Sequence, residues 1–161
     1  MGRGSIPRMS DDAFGTSSSG TSPSGGGAAR PRLRATSMTI STARPHEQAH
    51  FYARLLGGRV TVEEEADPGD PNGITWAQVK PPAGEAGMTI NVEHEREWTP
   101  PVWPARAGEQ RSTQHLDIQV DDLDAAVAWA LECGAREADV QPQDEVRVML
   151  DLDAHPFCLF V

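Results

Sequence analysis

The stretch HLDIQVDDLDAAVAWALECGA, from His115 to Ala135, decides how the rest of the chain must be read. From His115 to Val120 apolar and polar residues alternate: Leu116, Ile118 and Val120 take one face, and His115, Asp117 and Gln119 take the other. That period of two belongs to a strand with one buried face. Asp121 and Asp122 follow, and either can cap a helix N-terminus by accepting backbone N–H groups. Leu123, Ala126, Val127, Ala130 and Leu131 then recur at helical spacing, and Gly134 stands where a left-handed C-terminal cap is wanted. The apolar faces of strand and helix must pack together. His115, Asp117 and Gln119 are left on the far side of the sheet, where function is expected.

Working back toward the N-terminus, a second copy of the pattern emerges. Met38–Ala43 reads as a strand, and Pro45 suits the first turn of a helix because its missing N–H needs no partner there. Ala49, Tyr52, Ala53 and Leu56 form the apolar stripe, closed by Gly57 and Gly58. A shift of 77 positions lays Ala49 on Ala126, Tyr52 on Trp129, Ala53 on Ala130 and Gly57 on Gly134, which reads as an internal duplication. Three short strand-like runs follow each helix. They are Arg59–Glu65, Ile74–Lys80 and Met88–Glu93 in the first copy, then Glu137–Val140, Val146–Leu150 and Phe157–Val161 in the second. The turns DPGDPNG (Asp67–Gly73), PPAGEAG (Pro81–Gly87) and Asp151–Pro156 separate them.

The expected fold is therefore α+β: two tandem βαβββ modules, residues 33–94 and 114–161, whose curved mixed sheets pair to enclose a groove. Residues 95–113, with Pro100, Pro101 and Pro104 among Trp98 and Trp103, read as a stiff linker that lays two indoles on a sheet edge. Residues 1–32 are rich in Ser, Gly, Thr and Pro and poor in apolar side chains, so they read as a disordered tail.

Composition excludes some functions. The chain has 161 residues and a net charge of −10; its first 34 residues carry five Arg against Asp11 and Asp12, which leaves −13 on the rest. So acidic a body repels phosphate backbones, and no nucleic-acid partner is expected. No run of about 18 apolar residues marks a membrane span, and no apolar leader segment opens the chain. The only two cysteines, Cys133 and Cys158, make no disulfide framework, so a cytoplasmic location is expected.

Two such modules, the second opening with HLDIQVDDLDAAVAWALECGA and closing with DLDAHPFCLF, resemble the glyoxalase/bleomycin-resistance/extradiol-dioxygenase superfamily, also called vicinal oxygen chelate proteins. ARPHEQAHFYARLLGG resembles the first-helix pattern of its glyoxalase-like subset, with both modules in one polypeptide. The resemblance covers residues 35–161 and implies that a small organic molecule is bound, and transformed if the chain is an enzyme, in the groove between modules. It also implies alternatives: a metal-dependent lyase or dioxygenase, or a non-catalytic drug-sequestering or partner-binding protein. A homodimer is compatible with it.

Metal-dependent members draw one ligand from the start of each module's first strand and one from its fourth. Carried over by the duplication, these positions are Met38, His115, Asn91 and Cys158. Only His115 is an ordinary ligand for a hard cation, and a divalent metal needs about three protein donors. No metal cofactor is therefore expected; if one binds, His115 and Cys158 hold it. Glu93 or His94 would be recruited by a slip of the strand 88–94.

The residues expected to bind the ligand are Met38, Trp76, Asn91, His115, Asp117 and Cys158. His115 and Cys158 are the catalytic candidates, since a neighbouring imidazole can lower a thiol pKa, with Asp117 as a third member. Trp76, Trp98 and Trp103 are the candidates for a wall against which a flat ligand would stack, with packing between modules or subunits as the alternative. Trp129 is expected to pack in the core or at the helix edge; His46 and His50 fall on the first helix, with His50 expected on the surface. His155 is expected to take the turn position that the family gives to Gly or Asn.

Overall fold

The computed structural model describes residues 32–70 and 73–161, so the tail reading lies outside the described residues except for Arg32. The first module is β1 (Ser37–Thr42), α1 (Pro45–Leu55), β2 (Arg59–Glu64), β3 (Trp76–Lys80) and β4 (Thr89–His94). The second is β5 (Leu116–Gln119), α2 (Leu123–Cys133), β6 (Arg136–Glu137), β7 (Val146–Leu150) and β8 (Pro156–Phe160). Local chemistry sets the helix ends. Pro45 opens α1, while at α2 the Asp122 carboxylate accepts the Ala125 N–H at 3.0 Å. Gly134 closes α2 with φ at 109°, a left-handed conformation that costs glycine nothing. No described helix is long and apolar enough to cross a membrane.

Each module forms its own four-stranded mixed sheet, ordered β1-β4-β3-β2 and β5-β8-β7-β6. The first and fourth strands of a module run parallel and every other neighbouring pair is antiparallel. The fold is thus α+β with repeated βαβββ modules. Strands β1 and β5 are edges, so the two sheets remain open rather than joined into one ladder.

One face of each sheet packs under its helix. Ile40, Ala77, Val79, Ile90 and Val92 lie beneath Ala49, Tyr52 and Ala53, while Met149, Phe157 and Leu159 lie near Ala130. These residues form one cluster, so the modules share a core. Phe51 of α1 meets Phe157 of β8 edge-on, with ring centroids 6.2 Å apart.

The repeat is displaced by one residue from the 77-position register. The helices correspond at a shift of 78, Pro45 to Leu123 and Leu55 to Cys133. On that register the fully buried Tyr52 lies over the fully buried Ala130. The strand pairs agree: Thr39 lies beside Asn91 as Asp117 lies beside Cys158. Aligning the glycines misled, because Gly57 stands five positions after Tyr52 and Gly134 only four after Ala130. A slip of one residue turns every strand side chain to the opposite face.

Candidate functional site

His115, Asp117 and Cys158 come together on the open face of the second sheet. β5 carries Leu116 and Ile118 inward, which turns His115 and Asp117 outward. The parallel register then sets Cys158 of β8 directly beside Asp117. The imidazole Nε2 lies 3.3 Å from Asp117 Oδ1, and ligand atoms of all three residues fall within 4.8 Å of one another. The site is shallow, with the side chains of His115 and Asp117 44% and 64% exposed and Cys158 half-buried.

Partial burial pushes the Cys158 thiol up from its ordinary value of 9.0, and the charge and hydrogen bond of Asp117 raise it further. Both effects work against the thiolate form that a nucleophile needs. Asp117→Asn should remove both contributions from the carboxylate and speed iodoacetamide alkylation of Cys158 severalfold at pH 8. An unchanged rate would show that burial alone governs this thiol.

The first module presents a different surface. Thr39, Asn91, Gln78 and Thr61 stand in a row on its open face, where Gln78 Nε2 donates to Asn91 Oδ1 at 3.1 Å and Thr61 Oγ1 donates to Gln78 Oε1 at 3.1 Å. Trp76 belongs to the same face, with its indole N–H donating to Glu64 at 2.9 Å. Asn91 holds the place equivalent to Cys158. Met38 does not match His115: it shares the inward phase of Ile40 and packs against the core, and Ser37 takes the position equivalent to His115. Met38 and His115 both line a void of about 30 Å³, with Tyr52 and His155. Glu93 and His94 stay in the strand's regular register with Ser41 and Thr42, so neither replaces Asn91.

The remaining candidates settle as follows. His50 pairs with Glu63 at 3.0 Å on the surface. His46 lies 3.4 Å from Glu65, with its Nε2 buried and without a partner among the described residues. Trp129 sits at the helix edge, donating to the Leu55 carbonyl at 3.1 Å beneath the Arg54 guanidinium. Both linker indoles lie against the second module: Trp98 on the His155 ring, with centroids 4.8 Å apart, and Trp103 with its N–H on the Val140 carbonyl at 3.1 Å. The left-handed turn residue is Ala154, at φ 67°, and not His155.

A buried polar junction was not foreseen. Asp151, 1% exposed, accepts the side-chain amide of Gln48, the Tyr52 hydroxyl at 2.8 Å, and the backbone N–H groups of Asp153 and His155 at 3.0 and 2.9 Å. Its Oδ2 also lies 3.0 Å from His155 Nδ1. Asp153 accepts from Thr42 Oγ1, from the Ala43 N–H at 3.0 Å and from Arg44 Nε at 2.8 Å. These bonds tie the DLDA turn of the second module to the strand–helix corner of the first. The available signal was Gln48, a polar residue inside the apolar stripe of α1.

Burial and the Asp151 carboxylate together push the Tyr52 hydroxyl well above its ordinary value of 10.0. Burial also works to raise Asp153, but the hydrogen bonds from Thr42, Arg44 and Ala43 and the guanidinium charge outweigh it and hold that carboxyl below 3.8. A depressed carboxylate contributes stability above its unfolded value, about 3.9, and loses that contribution as pH falls through the lower folded value. The junction therefore loosens in acid.

The chain belongs to the glyoxalase-like domain family, whose model matches residues 37–160. Among solved structures it is similar to a glyoxalase family protein from Enterococcus faecalis, at 18% identity and a TM-score of 0.56, over 78% of this chain and 94% of that one. A fosfomycin resistance protein from Listeria monocytogenes, complexed with Mn(II) and 1S,2S-dihydroxypropylphosphonic acid, matches at 13% identity and a TM-score of 0.56, over 78% and 89%. The trypanothione-dependent glyoxalase I of Leishmania major matches at 16% identity and a TM-score of 0.57, over 80% and 86%. Identities this low establish the shared fold. No curated protein matches the chain.

Proposed function

We propose that this glyoxalase-like protein binds a small organic molecule against the open faces of its sheets, without a resident divalent metal. The convergence of His115, Asp117 and Cys158 on one open face carries the reading. An acceptor, a carboxylate and a thiol held together there give a ligand several directional contacts beside apolar surface. Trp76, Asn91 and Met38 complete the proposed binding set from the first module. Both cysteines are free, which accords with a cytoplasmic setting.

The reading without metal rests on the donors. The first module contributes Ser37 and Asn91 where metal-binding relatives place ligands, and the Asn91 amide oxygen already accepts from Gln78. The trio itself favours one second reading. An imidazole, a carboxylate and a thiolate match zinc in type and number, so His115, Asp117 and Cys158 would hold the ion if its ligand atoms drew together. Such an ion would supply Lewis-acid polarisation of a bound oxygen. Elemental analysis after dialysis against micromolar zinc separates the two. Less than about one-tenth of an equivalent per chain is expected; near-unit zinc, lost in His115→Ala, would establish the metal-assisted reading.

A further inference from the structure

Beside the open faces lies a cleft that holds three residues, Trp98, Arg111 and His155, which the proposed function does not use. It has a volume of about 210 Å³ and runs between the edge strand β1 and the linker, with Trp98 and His155 among its walls. Three features make it a built site rather than a surface dent. First, His155 is oriented. The Asp151 carboxylate can only accept, so the 3.0 Å contact fixes the proton of a neutral imidazole on Nδ1. Nε2 then carries the lone pair; it has no hydrogen-bond partner among the described residues, and the ring borders the cleft.

Second, Trp98 stacks against the same imidazole at a 43° tilt, so the base lies beside an aromatic wall. Third, β1 contributes four consecutive residues, Met38 to Ser41, to the lining. As an edge strand, β1 has one row of backbone N–H and C=O groups without a strand partner, and Thr39 and Ser41 add exposed hydroxyls. Arg111, which has no ion pair among the described residues, also lines the cleft. The left-handed Ala154 adjoins His155, and strain of this kind persists where surrounding contacts impose it.

We propose that this cleft is a binding site for a small planar hydroxy acid, with His155 Nε2 accepting the ligand hydroxyl, Trp98 packing on its ring and Arg111 pairing with its carboxylate. The size limits the occupant. A volume of 210 Å³ is below the range of about 300–1,000 Å³ common for drug-sized ligands, so the occupant is small. Asp151 acts here through His155 and is a positioning residue.

The test uses the full chain with para-hydroxybenzoate and benzoate as probes, followed by calorimetry and by NMR of the tryptophan indoles and histidine rings. Para-hydroxybenzoate is expected to bind at least about tenfold more tightly than benzoate, a difference of about 1.4 kcal/mol, with shifts at Trp98 and His155. His155→Gln should abolish the preference for the hydroxyl. Arg111→Gln, which touches nothing in the buried junction, should weaken both probes and keeps the test valid if the His155 variant fails to fold. Equal affinity for the two probes, no binding of either at millimolar concentration, or shifts confined to His115 would each overturn the proposal.

Discussion

Replacing Asp151 with alanine is expected to cost about 3–5 kcal/mol, the largest loss from any single polar substitution in the chain. The carboxylate is almost wholly enclosed and serves donors from both modules: Gln48 and Tyr52 on α1, and the backbone of its own turn. Removing it leaves the Tyr52 hydroxyl and the Gln48 amide buried without an acceptor, and an unsatisfied buried donor costs more than its bond contributed. The melting temperature should fall on the order of 10 °C. Asp151→Asn keeps the volume and one carbonyl, so it should lose less than alanine but more than a surface substitution. Chemical denaturation of the three proteins measures this. A loss below about 1 kcal/mol for alanine would mean that water satisfies those donors and that the modules do not depend on the junction.

Phe157→Ala should cost a similar amount, about 3–5 kcal/mol, through the cavity left by a large ring. Phe157 is fully buried in β8 and meets Phe51 of α1 edge-on, so the contact crosses from one module to the other. Phe51→Ala should be nearly as damaging. The double variant should lose less than the sum of the two, by about 1 kcal/mol, because paired aromatic rings in contact are coupled. Strict additivity would argue that each ring stabilises only its own module.

The fold was legible because both modules carry strong periodic signals. Pro45, Asp122 and Gly134 mark helix ends that the structure reproduces, and alternation in LDIQ set the strand faces of β5. The assumption that the two stop signals were equivalent failed. The extra residue before Gly57 slid β1 by one position and turned Met38 inward, where the sequence reading had it beside the ligand. The grouping of His115, Asp117 and Cys158 was visible in part, since His115 and Asp117 share a strand phase; their distance from Cys158 depends on a parallel pairing across about 40 residues. Locally, only Gln48 among the apolar positions of α1 pointed to the Asp151 junction. Its partners lie about 100 residues away, and only folding brings Thr42, Gln48 and Tyr52 to the DLDA turn.

The most direct test of the central claim is ligand capture. Full-length protein is incubated with a cellular metabolite extract, desalted and analysed by native mass spectrometry beside His115→Ala and Cys158→Ala. Both side chains sit on an open face, so the variants should melt within a few degrees of the parent. One small-molecule adduct on the parent is expected, reduced at least about tenfold in both variants. An adduct retained equally by parent and variants would place the ligand elsewhere on the molecule and contradict the assignment of this face.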